Sequence, residues 1–216
     1  MMKPHFNVVI ATPGNSFTPG YLRSLISTIS VLEQEKISWT FLNESGSFIP
    51  VVREHTIAGP YFNDYNITKP YNEDFTYDKI IWIDSDIQWS IQDFFQLYNS
   101  KKDILSGCYL MEDRTVPIYT KVKGPMMTEK QLYNKETPFQ IIACGFGFIA
   151  MKHGVFEKMS RPWFGPVFLE NSLKIDMIGE DLSWCTKATK SGFEIWADPN
   201  IRVIHKKSFN LYWQNN

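Results

Sequence analysis

Two carboxylates, Asp84 and Asp86, close an apolar run over Ile80 to Ile83 in the stretch KIIWIDSDIQW. In an extended strand their i, i+2 spacing turns both side chains to the same side. Carboxylates held that close repel, and one resists ionisation unless a cation lies beside them. A divalent metal answers the repulsion, because hard ions take oxygen ligands. A second acid pair, Glu180 and Asp181, follows Gly179 at a helix start, where the helix dipole favours negative charge. His205 ends a further apolar stretch, IRVIH. Each feature alone has a plainer reading: a polar strand exit capping the next helix, acids stabilising a helix start, a structural histidine. Together, two acid pairs and a histidine at the edges of buried elements describe a mixed oxygen–nitrogen cation site. Mn2+ or Mg2+ fits it, and the imidazole favours Mn2+.

The elements that must position these residues alternate along the chain. FNVVIAT (Phe6 to Thr12) reads as a β-branched strand ending at Pro13-Gly14. Thr18 is an N-cap before Pro19, and Leu22, Leu25, Ile26, Ile29 and Leu32 place an apolar face on the helix that follows. ISWTFLN alternates as a second strand, Pro50 opens a shorter helix to Ala58, and residues 59–74 are turn-rich. The strand before Asp84 is uniformly apolar, as a strand buried on both faces of a parallel sheet would be. Ligands of such sheets gather outside the carboxyl ends of the strands, where Asp84 and Asp86 sit. A helix capped at Ser90 and the strand DILSGCYL follow. Beyond them PIYTKV, FQIIACG and FGFIAMK are strands without long helices between, so this part of the sheet is mixed. A helix near Gly154 to Met159 leads into the loop SRPWFGPVF. GEDLSWCTKATKSG reads as a helix closed by Gly192, and FEIWAD and IRVIHKK as the last strands. The order specifies one α/β domain over 1–216, with a Rossmann-like N-terminal half and a central mostly parallel mixed sheet flanked by helices.

Composition narrows the function. The 216 residues suffice for one sizeable core. A formal net charge of −1 gives no global attraction to nucleic acid or anionic membrane. Cys108, Cys144 and Cys185 are odd in number and widely spaced, as buried free thiols of a reducing compartment would be. No segment approaches the roughly 20 apolar residues needed to span a bilayer, and the apolar N-terminal run is too short for a signal peptide. A cytoplasmic protein is the expectation.

IIWIDSDI, GEDLSWCTKATKSGFEIWADP and RVIH, in this order and at these separations, resemble the landmarks of metal-dependent, family-2-like glycosyltransferases of the GT-A fold. The resemblance covers nearly the whole chain and implies a nucleotide-binding half over about 1–110 and an acceptor-side half over about 111–216. Asp84, Ser85 and Asp86 match the DxD motif, Glu180 and Asp181 the xED motif, and His205 the late histidine. It follows from the resemblance that Asp84, Asp86 and His205 surround the metal, and that Asp181 is the base of an inverting transfer with Glu180 beside it. Thr12 and Pro13 fall where such enzymes bind the nucleotide base, and Arg53 matches an early-helix arginine that reaches nucleotide or diphosphate. Gly145, Gly147 and Trp163 lie in the region that shapes the sugar and acceptor pockets, and Lys206 or Lys207 would assist the leaving diphosphate. The implied donor is a UDP-sugar, with GDP-sugars a second class, and the acceptor is a carbohydrate or other hydroxyl. Two alternatives are a non-catalytic sugar-nucleotide or glycan-binding module and a metal-dependent nucleotidyltransferase. The latter normally has an arginine in the loop after strand one, and ATPGNSFTPG has none.

Overall fold

The computed structural model describes residues 3–121, 124–171 and 174–207. Seven strands form the central sheet: β1 (His5–Pro13), β2 (Trp39–Glu44), β3 (Thr76–Ile83), β4 (Ile104–Cys108), β5 (Phe139–Ile141), β6 (Phe148–Lys152) and β7 (Ile195–Arg202), in the spatial order β2-β1-β3-β6-β4-β7-β5. The pairs β2–β1, β1–β3 and β4–β7 are parallel, and β6 and β5 run against their neighbours. Five strands therefore point the same way, and their carboxyl ends share one edge of the sheet.

Among the described residues five α-helices accompany them: α1 (Pro19–Gln34), α2 (Ile49–Ala58), α3 (Ile91–Asn99), α4 (Glu129–Tyr133) and α5 (Glu180–Lys190). The alternation of β3 divides the core in two. Ile80 and Trp82 enter one apolar cluster with Ile57 of α2 and Trp184 and Ala188 of α5; Ile81 and Ile83 enter another with Tyr21 and Leu32 of α1 and Phe94 and Leu97 of α3. Ile80 to Ile83 are at most 1% exposed, which is why the run carries no polar residue until it leaves the sheet. Among the described residues no helix is long and apolar enough to cross a membrane, and all three cysteines are buried and free.

Several local expectations change. On α1 the buried residues are Gly20, Tyr21, Ser24, Thr28 and Leu32, while Leu22 and Ile26 are 44% and 66% exposed. The polar pair turns inward because Trp89 needs it. Ser24 Oγ donates to Trp89 O (2.7 Å), and Trp89 Nε1 donates to Thr28 Oγ1 (2.9 Å). The helix placed near Gly154 to Met159 is a single 3-10 turn, Phe156–Lys158. Part of the segment read as loop is an antiparallel hairpin, Val167–Asn171 with Lys174–Ile178. After β7 a two-residue strand, Ile204–His205, pairs with Ile87–Gln88.

Ser90 caps α3 as the sequence indicated, and the cap is reciprocal. Asp93 N donates to Ser90 Oγ (3.1 Å) and Ser90 N to Asp93 Oδ2 (2.9 Å). Ser90→Ala should cost about 1 kcal/mol, read as a melting temperature lower by roughly 2–4 °C for a chain of this size. An unchanged melting point would mean that the packing of Phe94 and Leu97 alone fixes this helix.

Candidate functional site

Where β3 leaves the sheet, its last residues meet three other segments. Asp84 N donates to Gly147 O (3.0 Å), and Thr18 N donates to Ser85 O (3.1 Å). Lys206 N donates to Asp86 O (2.8 Å). Because Ile204–His205 is laid along Ile87–Gln88, the late histidine is brought to the early acid pair by backbone pairing.

The two carboxylates of the pair do different things. Asp86 lies 3.1 Å from His205 Nε2 and 3.2 Å from Lys207 Nζ, both through Oδ2. Burial works against its charge, but His205 and Lys207 outweigh it and hold its pKa below the ordinary value. Asp84 turns to Arg53 instead. Arg53 Nη2 is 3.1 Å from Oδ1 and 3.3 Å from Oδ2 of Asp84, with only the second contact in hydrogen-bond geometry. Burial raises the Asp84 pKa, Arg53 opposes the rise, and Asp86 adds to it.

Arg53 is the centre of the site. Its side chain is 6% exposed and joins Asp84 at the end of β3 to Glu180 at the start of α5, with Nε 3.3 Å from Glu180 Oε1. The guanidinium lies over Trp82 and Phe146, 5.5 and 5.3 Å from the ring centres, an arrangement that steadies a desolvated cation. Burial lowers its pKa, but Asp84, Glu180 and Asp181 outweigh that and raise it. Asp181 follows Glu180 with Oδ1 accepting from Leu182 N (2.8 Å). Its pKa is raised by burial first and by Glu180 second, with Arg53 opposing.

Buried polar atoms cluster here without hydrogen-bond partners among the described residues: Nε and Nη1 of Arg53, Oδ1 of Asp84, and the indole nitrogens of Trp82 and Trp184. Buried polar groups are normally paired, so unspent capacity of this kind marks a place where a ligand or water completes the bonding. Trp82, Trp184 and Tyr109 are the residues that sequence reasoning missed. Tyr109 accepts from Gly147 N (3.2 Å) and packs edge-on to His205. A spacing signal for Trp82 was present, since it sits two residues before Asp84 on the same face of the strand.

The remaining expectations sort by placement. Gly145 and Gly147 lie beneath Tyr109, where a Cβ would come within 2.3 Å and 2.6 Å of its side chain. Their smallness admits the tyrosine. Thr12 is fully buried, with its hydroxyl 2.6 Å from Tyr21 OH and its carbonyl accepting from Asn43 Nδ2. Pro13 beside it is buried as well. The Thr12 side chain therefore faces the core and not a nucleotide. Trp163 is also corrected: it is fully buried, and its indole N–H is shared between Phe156 O and Met159 O. It packs the core and offers no surface to an acceptor. Arg53 reaches the acid pairs, and of the two lysines Lys207 contacts Asp86 while Lys206 is exposed.

Among the described residues no three His, Cys, Asp or Glu side chains converge tightly enough to hold an ion by themselves. Asp84 is drawn off by Arg53, so the trio Asp84, Asp86 and His205 is reduced to a pair. That pair still has the chemistry of a partial metal site. His205 Nδ1 is 3.0 Å from Leu110 O, and a carbonyl only accepts, so Nδ1 carries a proton. Nε2, 3.1 Å from Asp86 Oδ2, donates to that carboxylate when it too is protonated and is free to ligate a cation when it is not. Ions that bridge phosphates are commonly held by one or two protein ligands, with phosphate and water supplying the rest. Four carboxylates, Asp84, Asp86, Glu180 and Asp181, face two fixed cations, Arg53 and Lys207, and the excess negative charge suits a divalent ion.

No protein-family model and no curated protein sequence matches the chain. Solved structures do. A197 from STIV aligns over 97% of this chain and 98% of its own at 18% identity, with a TM-score of 0.52. The catalytic domain of Drosophila beta1,4galactosyltransferase 7, in complex with xylobiose, aligns over 95% of this chain and 71% of its own at 10% identity, TM-score 0.52. GalNAc-T7, solved with UDP, GalNAc and Mn2+, aligns over 93% of this chain at 12% identity and a TM-score of 0.55, and this chain spans 43% of its length. The fold is that of GT-A glycosyltransferases. At these identities the likeness is one of architecture, and the GT-A sheet is the seven-stranded mixed sheet whose carboxyl edge carries Asp84 and Asp86.

Proposed function

We propose that this GT-A chain is a glycosyltransferase, moving a sugar from a nucleotide-diphosphate donor, UDP-sugars first, to an acceptor hydroxyl with a divalent metal, Mn2+ or Mg2+. The observation that carries the reading is the meeting of Asp84 and Glu180–Asp181 around one buried arginine at the carboxyl edge of the sheet, with Asp86–His205 beside Asp84. GalNAc-T7 has the same fold and was solved with UDP and Mn2+, which supports extending that chemistry here.

In this reading Asp86 and His205 would hold the metal, with Leu110 O accepting from Nδ1 to orient the ring and leave Nε2 on the Asp86 side. The ion, when bound, neutralises charge growing on the departing diphosphate. Lys207 turns from Asp86 toward that charge. Asp84 stays with Arg53 and offers its free Oδ1 to a donor hydroxyl. Asp181 takes the proton of the acceptor hydroxyl in an inverting transfer, a task suited to a carboxylate whose pKa burial has raised. Glu180 is held by Arg53 and sets the start of α5, and so the position of Asp181.

Melting of the protein with UDP, GDP, CDP or ADP, each with Mn2+ or with EDTA, tests the reading. A diphosphate at about 100 times its Kd should stabilise the fold by about 2.7 kcal/mol. The expected result is a shift with UDP and Mn2+ that disappears in EDTA and in Asp86→Ala. No shift with any nucleotide sinks the proposal.

A further inference from the structure

Beside Arg53 on α2, Glu54 faces a different set of neighbours. Its Oε1 accepts from Arg161 Nε (2.7 Å) and its Oε2 from Phe164 N (3.0 Å). Arg161 also donates from Nη1 to Asp64 O (2.8 Å) and from Nη2 to Phe62 O (3.0 Å). These bonds floor a cleft of about 310 Å3 between the first turn of α2 and two loop segments, with Phe48, Val51, Phe62, Tyr65 and Phe164 among its walls. Phe48, Val51 and Tyr65 are 54%, 45% and 94% exposed, more apolar surface in one place than a solvated helix start requires.

The wall of the cleft is tied to α5, the helix whose first turn carries Glu180 and Asp181. Ser183 Oγ donates to Gly165 O (2.6 Å), and Lys187 Nζ donates to Pro162 O. Gly165 and Pro162 are cleft walls, and Ser183 is two residues beyond Asp181. Phe164 packs against both Trp82 and Trp184. The wall of the cleft and the acids Glu180 and Asp181 thus belong to one bonded unit.

Hydrogen-bond accounting decides what the cleft can hold. Both oxygens of Glu54 and all three guanidinium nitrogens of Arg161 already bond to protein, leaving two Arg161 N–H groups and one lone pair on each Glu54 oxygen as their spare capacity. Among the described lining side chains, Asn63 and the Tyr65 hydroxyl are the uncommitted polar groups, and both residues are exposed. A sugar placed deep in this cleft would find fewer partners than it has hydroxyls, and each one left unpaired carries a desolvation cost. A flat apolar group loses nothing, and aromatic walls favour an aromatic ring met edge-on or offset.

Resting on the glycosyl-transfer reading, we propose that this cleft seats an aryl aglycone of the acceptor, with the acceptor hydroxyl delivered to Asp181. The test is saturation-transfer NMR with phenyl, butyl and methyl β-D-glucopyranoside on the wild-type chain and on Val51→Asp. Position 51 is the third residue of α2, where an aspartate is favoured by the helix dipole, so the fold should persist. The phenyl glycoside should bind about tenfold or more tightly than the methyl glycoside, as burial of a ring predicts. Saturation should be strongest on the ring protons, and the advantage should vanish in Val51→Asp. Equal binding of phenyl and methyl glycosides, phenyl binding unchanged in Val51→Asp, or butyl binding as tight as phenyl would each overturn the aryl assignment. The UDP–Mn2+ melting shift is measured on the same samples and should be equal in both proteins. Its absence from the wild type, with the phenyl preference intact, rejects glycosyl transfer and not the apolar preference of the cleft.

Discussion

Replacing Asp181 with Asn is expected to lower turnover by about 10²–10⁴-fold, the usual worth of a positioned general base, while the UDP–Mn2+ melting shift survives. The amide keeps the volume and can still accept from Leu182 N through its oxygen, so the geometry of α5 is preserved and only proton affinity is lost. The pH profile carries a sign. The Asp181 pKa lies above the ordinary carboxylate value, chiefly through burial and then through Glu180, so turnover should climb as pH rises through that elevated pKa. This limb should be missing from what remains in Asp181→Asn. Stability should move the opposite way. A carboxyl whose pKa is raised by folding stabilises the fold below its unfolded pKa and loses that contribution as pH rises through its folded one. The Asn variant should therefore melt higher than the wild type at neutral pH and lose its lead in acid. Full turnover in Asp181→Asn would end the base assignment, and a lower melting point at neutral pH would mark the side chain as structural.

Replacing Arg53 with Met should have the largest effect on stability, a loss of about 3–5 kcal/mol, because it strands partners that the guanidinium neutralises. The side chains of Asp84 and Glu180 are 28% and 14% exposed, too enclosed for water to replace the cation fully. The variant should also slow turnover beyond its effect on nucleotide binding, since it frees the start of α5. Without Arg53 the Asp181 pKa should rise further, moving the pH limb upward. Adding Asp84→Asn and Glu180→Gln to Arg53→Met removes the stranded charges and should restore much of the stability without restoring turnover. A chemical-denaturation midpoint unchanged in Arg53→Met would show that the buried pair contributes nothing net. Lysine should substitute poorly, since its point charge cannot span two carboxylates on separate elements as a planar fork does.

The chain announced its acids and hid their supports. Asp84, Asp86, Glu180 and His205 could be read because each interrupts or ends an apolar stretch, and a buried strand or helix start fixes where its end must lie. That Asp84 and Asp86 face different partners was not legible, because the partner of Asp84 comes from α2 and that of Asp86 from beyond β7. Thr12 was misjudged for a related reason. Its place at a strand end is visible in the sequence, whereas the Tyr21 hydroxyl that turns it inward sits on α1. On α1 itself, periodicity pointed to Leu22 and Ile26, but hydrogen bonds from a tryptophan 61 residues away pulled Thr28 inward. Pattern reports what a side chain prefers, and long-range polar pairing decides where the preference cannot be met. The Val167–Ile178 hairpin escaped notice because prolines and glycines just before it signalled loop.

The order of strands also dictates a timetable. β6, residues 148–152, lies between β3 and β4, which end at residues 83 and 108. During synthesis the edge of β3 beside the nascent acid pair waits without its neighbour until the chain has passed residue 152. His205, the partner of Asp86, arrives later still. An apolar strand edge left open in this way invites pairing with another chain, and pairings this distant along the sequence form slowly. The centre of the sheet thus stays open until residue 152 and its far side until residue 202, and the ribosome must finish most of the protein before the first half can close.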